Sequence, residues 1–178
     1  MPRIKNAAQI HNPLADPQMP LMVPMFGGGF SFSKADRVRL VKNDPFLPHI
    51  FDGEEINMTT RLWTHGYDFY APSEDIVFHF YADKKDEKRP SFWKVNFERT
   101  QREGKRSSAR LRYLFKMAPD NEFPADLRQI GLYSMGTKRS LEQYYHLLGI
   151  DPVTKECKNL SQEVYSGRFH ARNHRTRN

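Results

Sequence analysis

Residues 51 to 72 read FDGEEINMTTRLWTHGYDFYAP, and two adjacent carboxylates, Glu54 and Glu55, stand directly after Gly53. A carboxylate facing a cleft can accept hydrogen bonds from hydroxyl groups or take the proton of an attacking one. The same residues at a helix start can instead cap it or complement its dipole. With Asp52 as N-cap, Glu55 falls at the third helical position and fits a capping box, which leaves Glu54 to face a cleft; both readings stay open for both residues. A second candidate is the run Gly27-Gly28-Gly29. Missing side chains allow close approach of backbone to a ligand, and they equally suit a bulge or a tight strand entry. No GK[ST] follows at the distance of a phosphate-binding loop, and Phe32 stands where G-x-G-x-x-G needs its third glycine. The third candidate is His79 within IVFHFY, either a metal ligand or an ordinary strand residue, with no companion at metal-site spacing.

These residues need elements to hold them. Phe26, Phe30 and Phe32 around the glycines predict a strand, and Ser33 with Asp36 predicts the capped start of a helix whose apolar edge is Val38 and Val41. The opening stretch predicts a second helix from Asp52 to a stop at Gly66, with Ile56, Thr59, Thr60 and Trp63 on one face. Strands are expected at YDFY (67–70) and IVFHFY (76–81), and a charged helix between Pro90 and Met117. A last helix runs from a Thr137 cap to Gly149, with Leu141, Tyr144, Tyr145 and Leu148 as its apolar face. The order strand–helix–strand–strand–helix–helix predicts an α/β structure, a mixed sheet with flanking helices.

The 178 residues suffice for one domain, and 13% aromatic content argues against a wholly disordered chain. The formal charge of +7 attracts anions: nucleic acid, acidic membrane or phosphorylated small molecules. Much of the excess lies between Arg99 and Arg112 and in the final SGRFHARNHRTRN, which reads either as solvated surface or as a nucleic-acid-binding face. Cys157 is the single cysteine, so neither an internal disulfide nor a cysteine-paired zinc site is possible within the chain. No stretch is long and apolar enough to span a bilayer, and no secretory signal pattern follows Met1.

MFGGGFSFSKADRV, DPFLPHIFDGEEINMTTRLWTHGYDFYAP and IVFHFY, followed by RPSFWK, SARLRYLF and GTKRSLEQYYHLLGID, together resemble the polypeptide α-N-acetylglucosaminyltransferases, over about residues 20 to 155. The resemblance implies the C-terminal portion of a GT-A glycosyltransferase domain, incomplete here: a lead-in over 1–24, the acceptor-side half over 25–155 and a basic tail over 156–178. It implies transfer of GlcNAc from UDP-GlcNAc to a polypeptide hydroxyl, hydroxyproline or Ser/Thr, with retention and a Mn²⁺ or Mg²⁺ ion. By the same resemblance Gly53, Glu54 and Glu55 form a wall facing sugar and acceptor, Trp63 backs that wall, Gly27–Gly29 pass beneath the donor sugar, and His79 is the metal ligand. The family's Asp-x-Asp has no counterpart in this sequence, which contains no D-x-D. The chain is therefore expected to be a fragment with little transferase activity alone. The other readings are a non-catalytic remnant that binds protein or glycan, and a basic nucleic-acid-binding module. The resemblance admits cytoplasm or Golgi.

Overall fold

The stretch that carries the two glutamates folds as helix α2, Glu54–Thr64, and every residue from Asn57 to Thr64 is buried. A helix buried on all sides lies at the centre of its domain. Three of its residues are threonines, which are weak helix formers. Their hydroxyls turn back on the helix: Thr59 Oγ1 donates to the Glu55 carbonyl at 2.6 Å, Thr60 to Ile56 at 2.9 Å and Thr64 to Arg61 at 2.9 Å. The buried hydroxyl donors are thus satisfied within the helix itself. This is a computed structural model, and it describes residues 21–72, 76–77, 97–119 and 122–160.

The other elements are arranged around α2. Strand β1 (Leu21–Val23) pairs antiparallel with β2 (Phe69–Ala71), Leu21 opposite Ala71 and Val23 opposite Phe69. Helix α4 (Leu141–Leu148) packs against α2, with the Trp63 and Tyr144 rings 5.3 Å apart between centroids. Tyr144 also donates its hydroxyl to the Pro24 carbonyl at 3.0 Å, so the most buried tyrosine leaves no polar atom unmet. Helix α3 (Phe97–Leu114) sends Leu111 and Leu114 against Leu47, Ile50 and Ile56. Strands β3 (Ile150–Asp151) and β4 (Glu156–Cys157) form a short hairpin. The described residues thus combine helices with two small antiparallel sheets, where a mixed sheet is expected from sequence.

Several local expectations are corrected. Phe26–Phe32 is not a strand: the Phe26 and Gly28 amides bond to side chains of α2, not to a ladder, and Phe32 is 94% exposed. Ser33 caps nothing. The helix there, α1, is the single turn Asp36–Leu40 with Ala35 at its N-cap and no buried residue, so no packing extends it. The last helix starts at Ser140 instead of Thr137, because the Lys138 and Arg139 amides are engaged by the Thr64 carbonyl at 3.0 and 3.2 Å. Ser140 and Gln143 complete a capping box there, and Leu147 joins the buried face where Tyr145 is expected. The charged helix is described from Phe97 and ends at Leu114, three residues before Met117, with Lys116 at a positive φ. Strand β1 lies within residues 1–24, and β4 within residues 156–178. Ile76 and Val77 are exposed and in no regular element, and the rest of the expected strand at 78–81, with His79, lies outside the described residues.

Candidate active site

The start of α2 is built by Gly53, not by Asp52. Gly53 has φ +114, a left-handed conformation that favours glycine, and no side chain caps the helix. This conformation moves the helix start one residue on, so Glu55 stands at the second helical position and the expected capping box does not form. A Cβ on Gly53 would lie 2.7 Å from Leu111 Cδ1. Gly53→Ala therefore meets both backbone strain and overpacking, together about 2–4 kcal/mol. The expected result is a fall in melting temperature of roughly 4–16 °C, measurable by calorimetry.

Released from capping, Glu55 reaches across to the glycine run. Its Oε1 accepts the Gly28 N–H at 2.8 Å. Thr59 Oγ1, one turn further along α2, accepts the Phe26 N–H at 3.0 Å. The glycine segment is thus fastened to the helix at two amides two residues apart. Glu54 closes on the same point: a Cβ built on Gly28 would stand 3.1 Å from Glu54 Oε2 and 3.4 Å from Glu55 Oε1. Gly28 therefore lets backbone approach two carboxylates at once. Burial raises the Glu54 pKa above the ordinary carboxylate value, and the neighbouring Glu55 raises it further. Among the described residues no side chain or amide donates to the Glu54 carboxylate.

The remaining expected residues are placed as follows. Gly27 and Gly29 flank Gly28, half-buried and exposed respectively. Trp63 lies in the core, with the Tyr144 ring packed against it at a tilt and the Arg139 guanidinium 4.9 Å from its ring centroid. Arg139 is fixed in turn by Asp68 at 2.8 Å and the Gly66 carbonyl at 3.0 Å, so Trp63 is held at the C-terminal end of α2. The described residues contain no group of three His, Cys, Asp or Glu able to hold a metal ion, so they do not by themselves form a divalent site. A cleft of about 750 Å³ is lined by Tyr113, Leu114, Met117, Phe123, Pro124 and Ile130 among others, and it shares no residue with the carboxylates.

The family model for glycosyltransferase (GlcNAc) matches residues 2–154, most of the chain. This chain belongs to that GlcNAc glycosyltransferase family. No curated protein and no solved structure matches it. Membership in a GlcNAc glycosyltransferase family implies a sugar-nucleotide donor and an acceptor. No helix among the described residues is long and apolar enough to cross a membrane.

Sequence reasoning misses a cluster of buried charges that includes Arg61 of α2. Asp44 and Arg110 form a fully buried ion pair, Asp44 Oδ2 accepting from Arg110 Nε at 2.8 Å. Arg61 of α2 is equally buried, yet none of its guanidinium nitrogens has a hydrogen-bond partner among the described residues. Burial lowers its pKa, and nearby Asp44 opposes that shift. The only available signal was the position of Arg61 inside an otherwise apolar or threonine-lined stretch, TTRLWT.

Proposed function

We propose that this chain is the acceptor-side part of a GT-A-type domain that transfers GlcNAc from UDP-GlcNAc to a polypeptide hydroxyl, of hydroxyproline or of Ser/Thr, with retention of configuration. The observation that carries the reading is the convergence of Gly28, Glu54 and Glu55 at the start of α2 in a chain of the GlcNAc glycosyltransferase family. Transfer to a hydroxyl needs an acceptor atom that orients the attacking O–H, and a close, side-chain-free surface for the sugar ring. Glu54 supplies the first, because no side chain or amide donates to its carboxylate among the described residues and partial desolvation holds its pKa above the ordinary value. The glycine segment beside it supplies the second. A base with a raised pKa is also a better proton acceptor near neutral pH than an ordinary carboxylate.

The Mn²⁺ or Mg²⁺ ion belongs to this proposal through His79 alone, which lies outside the described residues, so no step is derived through it. When bound, such an ion balances the charge of a leaving diphosphate. The test is an assay of the full-length protein with UDP-GlcNAc and peptides bearing hydroxyproline, serine or threonine, read by mass spectrometry. The expected product is a peptide heavier by one N-acetylhexosamine on a hydroxyl residue. EDTA should abolish its formation and added Mn²⁺ restore it. Transfer only to saccharide acceptors, or transfer unaffected by EDTA, would contradict the peptide acceptor or the metal respectively.

A further inference from the structure

We propose that Glu55, with Thr59, is a positioning residue that holds the glycine segment against α2, and that it takes no proton in the reaction. The inference rests on the transferase reading above for its consequence, but the geometry stands without it. Two backbone amides, Phe26 and Gly28, are bound by two side chains one helical turn apart on α2, at 3.0 and 2.8 Å. Thr59 in turn donates to the Glu55 carbonyl at 2.6 Å, so clip and helix form one hydrogen-bonded unit. The glycine segment has no regular secondary structure, and strand pairing does not hold it. A segment without ladder bonds takes its position from whatever side-chain bonds it makes. Here those bonds come from the residues beside Glu54, so the distance between the glycine backbone and the Glu54 carboxylate is set within one helical turn.

Adjacent glutamates thereby divide the work. Glu55 has an oxygen committed to an amide, and an amide side chain can replace it as acceptor. Glu54 needs its carboxylate. Donor binding is what the clip controls: a glycine segment that drifts from α2 no longer offers its surface to the sugar ring.

The experiment is amide hydrogen exchange read by NMR on this chain, combined with steady-state kinetics of the full-length protein. In the unaltered chain the Gly28 and Phe26 amides should exchange at least tenfold more slowly than that of exposed Gly29. Glu55→Ala should remove protection at Gly28 and spare Phe26. Thr59→Val should do the reverse, and Glu55→Gln should keep Gly28 protected. In the kinetic assay Glu55→Ala should raise KM for UDP-GlcNAc about tenfold, with a smaller change in kcat, and Glu55→Gln should recover most of that loss. Loss of Gly28 protection in Glu55→Gln equal to that in Glu55→Ala would overturn the proposal, as would Gly28 protection persisting in Glu55→Ala. A kcat collapse in Glu55→Gln with Gly28 still protected would make Glu55 a proton-transfer group and also overturn it. Absence of any GlcNAc transfer by the unaltered protein would instead defeat the transferase reading and leave the exchange result standing.

Discussion

Asp44→Ala is expected to be the most destabilising single substitution in the described chain. Asp44 is the one carboxylate that faces two fully buried guanidiniums: it pairs with Arg110 at 2.8 Å, and its field acts on Arg61. Its other oxygen accepts the Phe46 N–H at 2.9 Å. Arg110 keeps the carbonyls of Asp126 and Arg128 and the Phe46 ring, which stands 5.0 Å from its guanidinium carbon, so it stays in place when Asp44 is removed. The outcome is two like charges in the interior with no counter-charge. Breaking a buried pair in this way costs about 3–5 kcal/mol. For a chain of this size that is a fall in melting temperature of roughly 6–20 °C. Arg61→Met should act in the opposite direction, because it removes a buried charge that has no hydrogen-bond partner among the described residues and leaves a side chain of similar length. Calorimetry on both variants checks the pair of signs. A stable Asp44→Ala protein, or a large loss of stability in Arg61→Met, would contradict the account of this cluster.

The second large effect is on transfer. Glu54→Gln keeps the shape of the side chain and removes its basicity, and loss of a general base or hydroxyl-orienting carboxylate typically costs about 100-fold or more in rate. Stability should move the other way. The Glu54 pKa is raised in the folded protein, chiefly by burial and then by Glu55. A group shifted in that direction favours folding fully below its unfolded pKa, and the contribution is lost as pH rises through the folded pKa. At neutral pH ionised Glu54 therefore disfavours the fold slightly, and glutamine relieves this. The signature is an enzyme that is slower yet no less stable. The pH profile follows from the same shift. Activity that needs ionised Glu54 should fall on acidification at a pH above the usual carboxylate range. In Glu55→Gln that limb should move to lower pH without reaching the ordinary value, because burial remains.

Much of this site is legible in the sequence, and the reasons for the gaps are specific. Glu54, Glu55 and Gly28 stand out because carboxylate pairs and glycine runs are rare and chemically suggestive, and the fold brings all three together. Helix α2 and its stop at Gly66 follow from periodicity and from a glycine at the end, whereas no single face is marked out, because every residue from Asn57 to Thr64 is buried. The capping of α2 is misread because a left-handed glycine can start a helix one residue later than the nearest aspartate. Sequence pattern does not distinguish the two without φ. The cap at Ser140 is hidden for another reason: the Thr64 carbonyl, 74 positions before Lys138, takes the amides that a Thr137 start would need. The Asp44–Arg110 pair spans 66 positions, and no local pattern marks either residue as buried. Long-range partners of this kind decide where helices begin and which charges are interior, and they are invisible to any window along the chain.

A first turn of α2 that forms a wall of the proposed GlcNAc-transfer site should lose its function when Glu54 loses its charge. The most direct test compares Glu54→Gln with the unaltered full-length protein in the UDP-GlcNAc peptide assay, with melting temperatures taken on the same samples. Transfer should fall about 100-fold or more at an equal or higher melting temperature. Transfer within about twofold of the unaltered protein, in a folded Glu54→Gln sample, would contradict it.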